Sequence, residues 1–141
     1  MGTFSIGQIN RVTMPTKSIL VVEDALDAQV KIAMALCAIL EPCGEVTVNF
    51  CSSAIDAACI LSGTALPPSL IILDHDLQYG NGSELLAFMK ERGMDIPVMT
   101  ASGIGGNNVR MMDLGATYHT DKQSIIDGAM NEQILEALNG R

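Results

Sequence analysis

From Lys17 onward, short unbroken apolar runs alternate with longer segments in which apolar positions return every three or four residues. Ile19-Leu20-Val21-Val22 and Leu70-Ile71-Ile72-Leu73 are the clearest of the short runs. A four-residue run without a polar position fits a strand covered on both faces, as in a parallel sheet. The wider spacing fits helices that bury one stripe. The pattern predicts strands at Ile19–Val22, Val46–Phe50, Leu70–Leu73, Val98–Thr100 and Thr117–Thr120. It predicts helices at Ala28–Leu40, Ala54–Leu61, Ser83–Glu91, Asn108–Leu114 and Ser124–Leu138.

Local signals mark the boundaries. Asp27 is the expected N-cap of the first helix, and Pro42 and Gly44 follow its end. Ser53 and Asp56 outline a capping box for the second helix. Gly93 is placed to cap the third helix in the left-handed conformation. Five strand–helix units in succession predict an α/β protein with a doubly wound, five-stranded parallel sheet and helices on both faces. Residues 1–16 contain Gly2, Gly7 and Pro15 and show no sustained period, so a flexible N-terminal tail is expected there. The alternation of Phe4 and Ile6 leaves a short edge strand as the alternative. Residues 17–141 are expected to form one domain, with no linker or second domain.

Composition narrows the class. Sixteen acidic against eight basic residues give a net charge of −8 over 141 residues. That balance disfavours direct DNA binding, which rests on Lys and Arg neutralising phosphates, and disfavours anionic membrane surfaces. The bases are scattered, without a patch. No apolar run approaches the roughly 20 residues of a membrane span. The four cysteines form no Cys-x-x-Cys pair, and Cys37 and Cys59 read as small core residues. A cytoplasmic location is the expectation.

The candidate chemistry lies at the strand ends. The first strand runs into Glu23-Asp24, the third into Asp74-His75-Asp76, the fourth ends in Thr100, and the fifth leads to Lys122. In open α/β sheets the ligand crevice lies beyond the carboxyl ends of the strands. Three carboxylates there suit a divalent cation with hard oxygen ligands, such as Mg2+. A carboxylate can accept a phosphoryl group covalently, while a hydroxyl and an ammonium hold the remaining phosphoryl oxygens.

Over roughly residues 17–139 the chain resembles the receiver domain of two-component response regulators, in particular the stand-alone chemotaxis type. The resemblance is carried by Val22-Glu23-Asp24, by Leu73-Asp74 with Gly82 eight residues on, by Thr100-Ala101, and by Gly115-Ala116 with Lys122 beyond. It implies a flavodoxin-like strand order 2-1-3-4-5. It also implies that Asp74 is the phosphoacceptor, with Thr100 and Lys122 contacting the phosphoryl group. Asp24, Asp74 and the backbone carbonyl of Asp76 would hold Mg2+, with Glu23 acting through water. The implied partners are a histidine kinase or histidine phosphotransfer protein and a downstream target protein, with no DNA or membrane contact. The implied role is a signalling domain, not an enzyme beyond its own phosphorylation and dephosphorylation.

The chain departs from the family in places. Gln123 follows the lysine where receivers usually have proline, which predicts a trans Lys122–Gln123 bond. Gln78 replaces the usual proline after the acceptor. The switch position, usually aromatic, holds His119 beside Tyr118. Two other readings compete. One is a receiver-fold binding module that works without phosphorylation. The other is a haloacid-dehalogenase-like phosphatase, in which Asp74 would be nucleophile and Asp76 acid/base; that family's acidic metal ligands lie downstream, whereas Glu23-Asp24 lie upstream.

Overall fold

The computed structural model describes residues 2–6, 17–41, 46–64, 66–77, 80–101 and 111–140. The strands are β1 (Gly2–Ile6), β2 (Lys17–Val22), β3 (Val46–Cys51), β4 (Leu70–Leu73), β5 (Val98–Thr100) and β6 (Tyr118–His119). The helices are α1 (Leu26–Leu40), α2 (Ala54–Gly63), α3 (Gly82–Glu91), α4 (Lys122–Ile126) and α5 (Asn131–Asn139). Residues 111–113 are also helical; the rest of the helix expected at Asn108–Leu114 lies largely outside the described residues.

One six-stranded sheet runs in the order β1-β3-β2-β4-β5-β6. Its five strands from β2 to β6 are parallel and stand in the order 2-1-3-4-5 among themselves. The order reverses beside β2, so the carboxyl ends of β2 and β4 border the switch-point crevice. Alternation along each strand feeds two layers. Ile19, Val21, Leu70, Ile72 and Met99 pack with Ile32, Leu36 and Leu40 of α1, Ile125 of α4 and Ile134 of α5. Leu20, Val22, Ile71, Leu73 and Val98 pack on the other side with Ala57 and Leu61 of α2, and with Leu85 and Met89 of α3. Each fully buried Leu or Ile contributes about 1.5–3 kcal/mol, so these layers hold the strand ends in register.

The structure corrects several expectations. The N-terminal segment is not wholly a loose tail: Gly2–Ile6 pairs antiparallel with β3, from Gly2 opposite Phe50 to Ile6 opposite Val46. The edge of β3 left open by the parallel sheet gives this short segment a hydrogen-bonding template. Residues 7–16 of the expected tail lie outside the described residues. The single helix expected over Ser124–Leu138 is two. Gly128, at φ 87°, lets the chain leave α4 in a Schellman turn, with Ala129 N–H donating to the Ser124 carbonyl and Gly128 N–H to that of Ile125. Asp27 does not cap α1; the helix begins two residues after Asp24, and Ala25 is its N-cap without a side-chain bond. Cys37 and Cys59 are exposed, because the core-facing positions of α1 are Ala28, Ile32, Leu36 and Leu40, and those of α2 are Ala54, Ala57 and Leu61.

Candidate functional site

Ladder hydrogen bonds continue past the strands and fix the residues that follow them. Asp74 N–H donates to the Val22 carbonyl at 3.1 Å, Glu23 N–H to Cys51 at 2.9 Å, and Ala101 N–H to Leu73 at 2.8 Å. Asp74 and the Glu23-Asp24 pair are thereby held side by side at the sheet's carboxyl edge. After Asp74 the chain turns sharply, with the His75 carbonyl accepting from Leu77 and Gly82 N–H groups, both at 3.1 Å. Gly82 fits because no side chain would: a Cβ there would stand 2.9 Å from the Asp74 carbonyl oxygen and 3.1 Å from His75 Cα. Asn81 then caps α3 reciprocally with Glu84, which locks the far end of the turn.

Glu23, Asp24 and Asp74 each offer a carboxylate oxygen to a cluster whose atoms all lie within 4.8 Å of one another. Glu23 and Asp74 are buried, and Asp24 is half-buried. Lys122, the first residue of α4, reaches over this cluster. Its Nζ lies 2.9 Å from Glu23 Oε1 and 3.3 Å from Asp74 Oδ2. Asp121 holds the lysine's helix in place by accepting the Ser124 N–H at 2.8 Å. The Lys122–Gln123 peptide is trans, as Gln123 predicts.

The electrostatics follow from burial. Desolvation raises the Glu23 carboxyl above its ordinary range, against the pull of Lys122, and the Asp74 charge adds to the rise. Desolvation likewise raises Asp74 despite the lysine. For Lys122, burial favours the neutral amine, but its bonds and charges toward Glu23 and Asp74 outweigh that and raise it. One ammonium therefore does not compensate three crowded carboxylates. Three carboxylates that share one ammonium offer an all-oxygen donor set that fits a hard divalent cation such as Mg2+.

The other predicted residues are placed unequally. Thr100 is fully buried, sits opposite Leu73 in the β4–β5 register, and directs its hydroxyl to the Tyr118 carbonyl at 3.4 Å. Asp76 N–H donates to Asp74 Oδ1 at 3.3 Å, but its carboxylate is outside the acidic cluster and 62% exposed, beside His75. The His75 side chain is 14% exposed, with Nδ1 3.2 Å from Asp76 Oδ1. His119, expected as a switch residue, is exposed. Tyr118 beside it is half-buried and bonds Glu136 of α5 at 2.7 Å. Gln29 was not legible as a site residue. Its amide donates to the Glu23 carbonyl from one turn into α1, a contact that spacing alone does not signal.

Comparison with solved structures bears on the fold that carries this site. The chain is similar to the phosphorylated cyanobacterial phytochrome response regulator RcpA, at 24% identity over 88% of this chain and 94% of that one, with a TM-score of 0.71. It is similar to the signal receiver domain of a LuxO repressor protein from Vibrio parahaemolyticus, at 21% identity over 87% and 91%, with a TM-score of 0.72. A third likeness is the receiver domain of the histidine kinase CKI1 from Arabidopsis thaliana, complexed with Mg2+ and BeF3-, at 19% identity over 86% and 89% and a TM-score of 0.68. No protein-family model matches the sequence, and no curated protein matches it. The fold is thus that of response-regulator receivers.

Proposed function

We propose that this protein is a phosphoacceptor receiver that takes a phosphoryl group onto Asp74 from a phosphohistidine of a histidine kinase or phosphotransfer protein, and signals by protein contact. The observation that carries the reading is the meeting of Glu23, Asp24, Asp74 and Lys122 at the carboxyl edge of a receiver sheet. Residues 17–141 make up the proposed receiver unit. A cytoplasmic site of action follows from the proposed partners.

In the transfer, an Asp74 carboxylate oxygen attacks phosphorus, and the phosphorus–nitrogen bond of the donor breaks. The departing imidazole nitrogen keeps the electron pair. Lys122, already at 3.3 Å from Asp74 Oδ2, pairs with the added charge, and the Thr100 hydroxyl turns from the Tyr118 carbonyl to a phosphoryl oxygen. Asp24 and Asp74 with the Asp76 carbonyl would hold Mg2+, and Glu23 would bind through water. When bound, the metal neutralises phosphoryl oxygens as charge builds on them. Desolvation works against the charged forms of Asp74 and Glu23, and a bound cation would offset that cost.

Incubation with acetyl phosphate and Mg2+ is expected to add one phosphoryl group, seen as a single mass increment. Asp74→Asn is expected to abolish it, and Asp76→Asn to retain it. No labelling of the wild type would favour a phosphorylation-independent binding module. Steady turnover of a small phosphomonoester would favour the phosphatase reading.

A further inference from the structure

The two edges of the sheet are built differently. β6 is only two residues long, which protects that edge by shortness. β1 runs five residues and pairs one-to-one with β3, without a bulge. It is the terminal strand, and among the described residues no strand pairs with its outer side. In a terminal antiparallel strand, alternate residues direct N–H and C=O away from the sheet. Natural proteins guard such edges with charge, proline, bulges or brevity. The segment Gly-Thr-Phe-Ser-Ile has no charged residue and no proline.

We propose that β1 pairs with β1 of a second copy, antiparallel about a two-fold axis, joining two six-stranded sheets into one. Two observations favour a second copy over a foreign peptide. An edge that pairs with itself satisfies both open edges at once, whereas an added peptide presents a new open edge of its own. Charge points the same way. At −8, two copies repel on most approaches, but neither β1 nor the underlying β3 segment Val-Thr-Val-Asn-Phe-Cys carries a charge. This edge is a neutral stretch on an acidic protein. The pairing leaves the candidate site free, since that site lies at the ends of β2 and β4, and β3 stands between β1 and β2.

Sedimentation equilibrium of the full chain is expected to give twice the chain mass. Amide exchange on the same sample locates the contact. The dimer is expected to slow exchange at consecutive residues from Thr3 to Ile6, whereas a monomer slows only alternate ones. Phe4→Pro and Ser5→Pro alter neighbours that point opposite ways, so one of them removes an outward N–H and leaves the β3 ladder intact. That variant is expected to halve the mass with an unchanged circular-dichroism spectrum. A monomeric wild type at every concentration overturns the proposal. So does a dimer that keeps alternating exchange, or one that survives both proline variants. Should a variant fail to fold, the exchange pattern of the unaltered protein decides. Acetyl phosphate labelling is independent of each of these outcomes.

Discussion

Asp74 owes its position to a glycine eight residues away as much as to its own strand. The turn after Asp74 closes because Gly82 lets the backbone approach the Asp74 carbonyl and the Met111 side chain. Gly82→Ala would force that backbone apart. We expect a loss of about 1–3 kcal/mol, as for other overpacked sites, read by denaturant unfolding, together with slower acetyl phosphate labelling. Charge acts at the same scale. The raised Glu23 and Asp74 carboxyls bind protons more readily in the folded than in the unfolded chain. Their contribution to stability is therefore greatest at acidic pH and is lost as pH rises through their folded-state values. Lys122 follows the same sign in a higher window: its raised value gives stability that is lost only as alkaline pH passes it. Mg2+ needs both carboxylates ionised, so its affinity should climb over the window in which metal-free stability declines. Mg2+ titrations between about pH 5 and about pH 8 measure this, and Glu23→Gln should flatten the climb.

At the scale of elements, α1 does two jobs on two faces. Its inner face, Ala28, Ile32, Leu36 and Leu40, is buried against the sheet. Its outer face sets Leu26, Val30 and Met34 at 73%, 51% and 69% exposure, spaced four residues apart. That stripe starts two residues from Asp24, so under the proposed function a donor protein bringing a phosphohistidine to Asp74 would have this apolar surface beside its path. We expect Val30→Lys with Met34→Lys to slow transfer from a phosphorylated donor protein by tenfold or more, about 1.4 kcal/mol of lost contact. Labelling by acetyl phosphate, which needs no docking, should be unchanged. Equal slowing of both reactions would mean that the substitutions disturb the site itself. At the other end of the chain, the Schellman turn at Gly128 separates α4 from α5, so Lys122 sits on a short helix packed against α1.

For the whole molecule, a cation at the acidic cluster links site and fold, because the cluster joins segments that follow β2 and β4. Ligand that binds only the folded state stabilises it by mass action. Mg2+ at ~100 times its dissociation constant should add about 2.7 kcal/mol and raise Tm accordingly. Asp24→Asn should lose most of that rise while leaving the metal-free Tm close to the wild type, since Asp24 is only half-buried. An equal rise in both proteins would remove Asp24 from the metal site. The fold itself hosts many activities, so these measurements bear on the site and not on the sheet.

The chain's pattern determined what local physics can encode. Unbroken apolar runs at 19–22 and 70–73 must be strands buried on both faces, and the structure places them at the sheet centre. The residues just beyond those runs, Glu23, Asp24 and Asp74, then had to meet at one edge, because parallel strands share a direction. Tertiary structure decided the remainder. Gly2–Ile6 becomes a strand only because β3 offers it an edge, a partner far away in the chain. The break at Gly128 is hidden by an apolar stripe that continues through it, and only the positive φ reveals it. Which carboxylate Lys122 grips, whether His75 is covered, and that His119 faces outward depend on how loops cross the edge. Those crossings are set by packing between distant elements, so periodicity along the chain carries no trace of them.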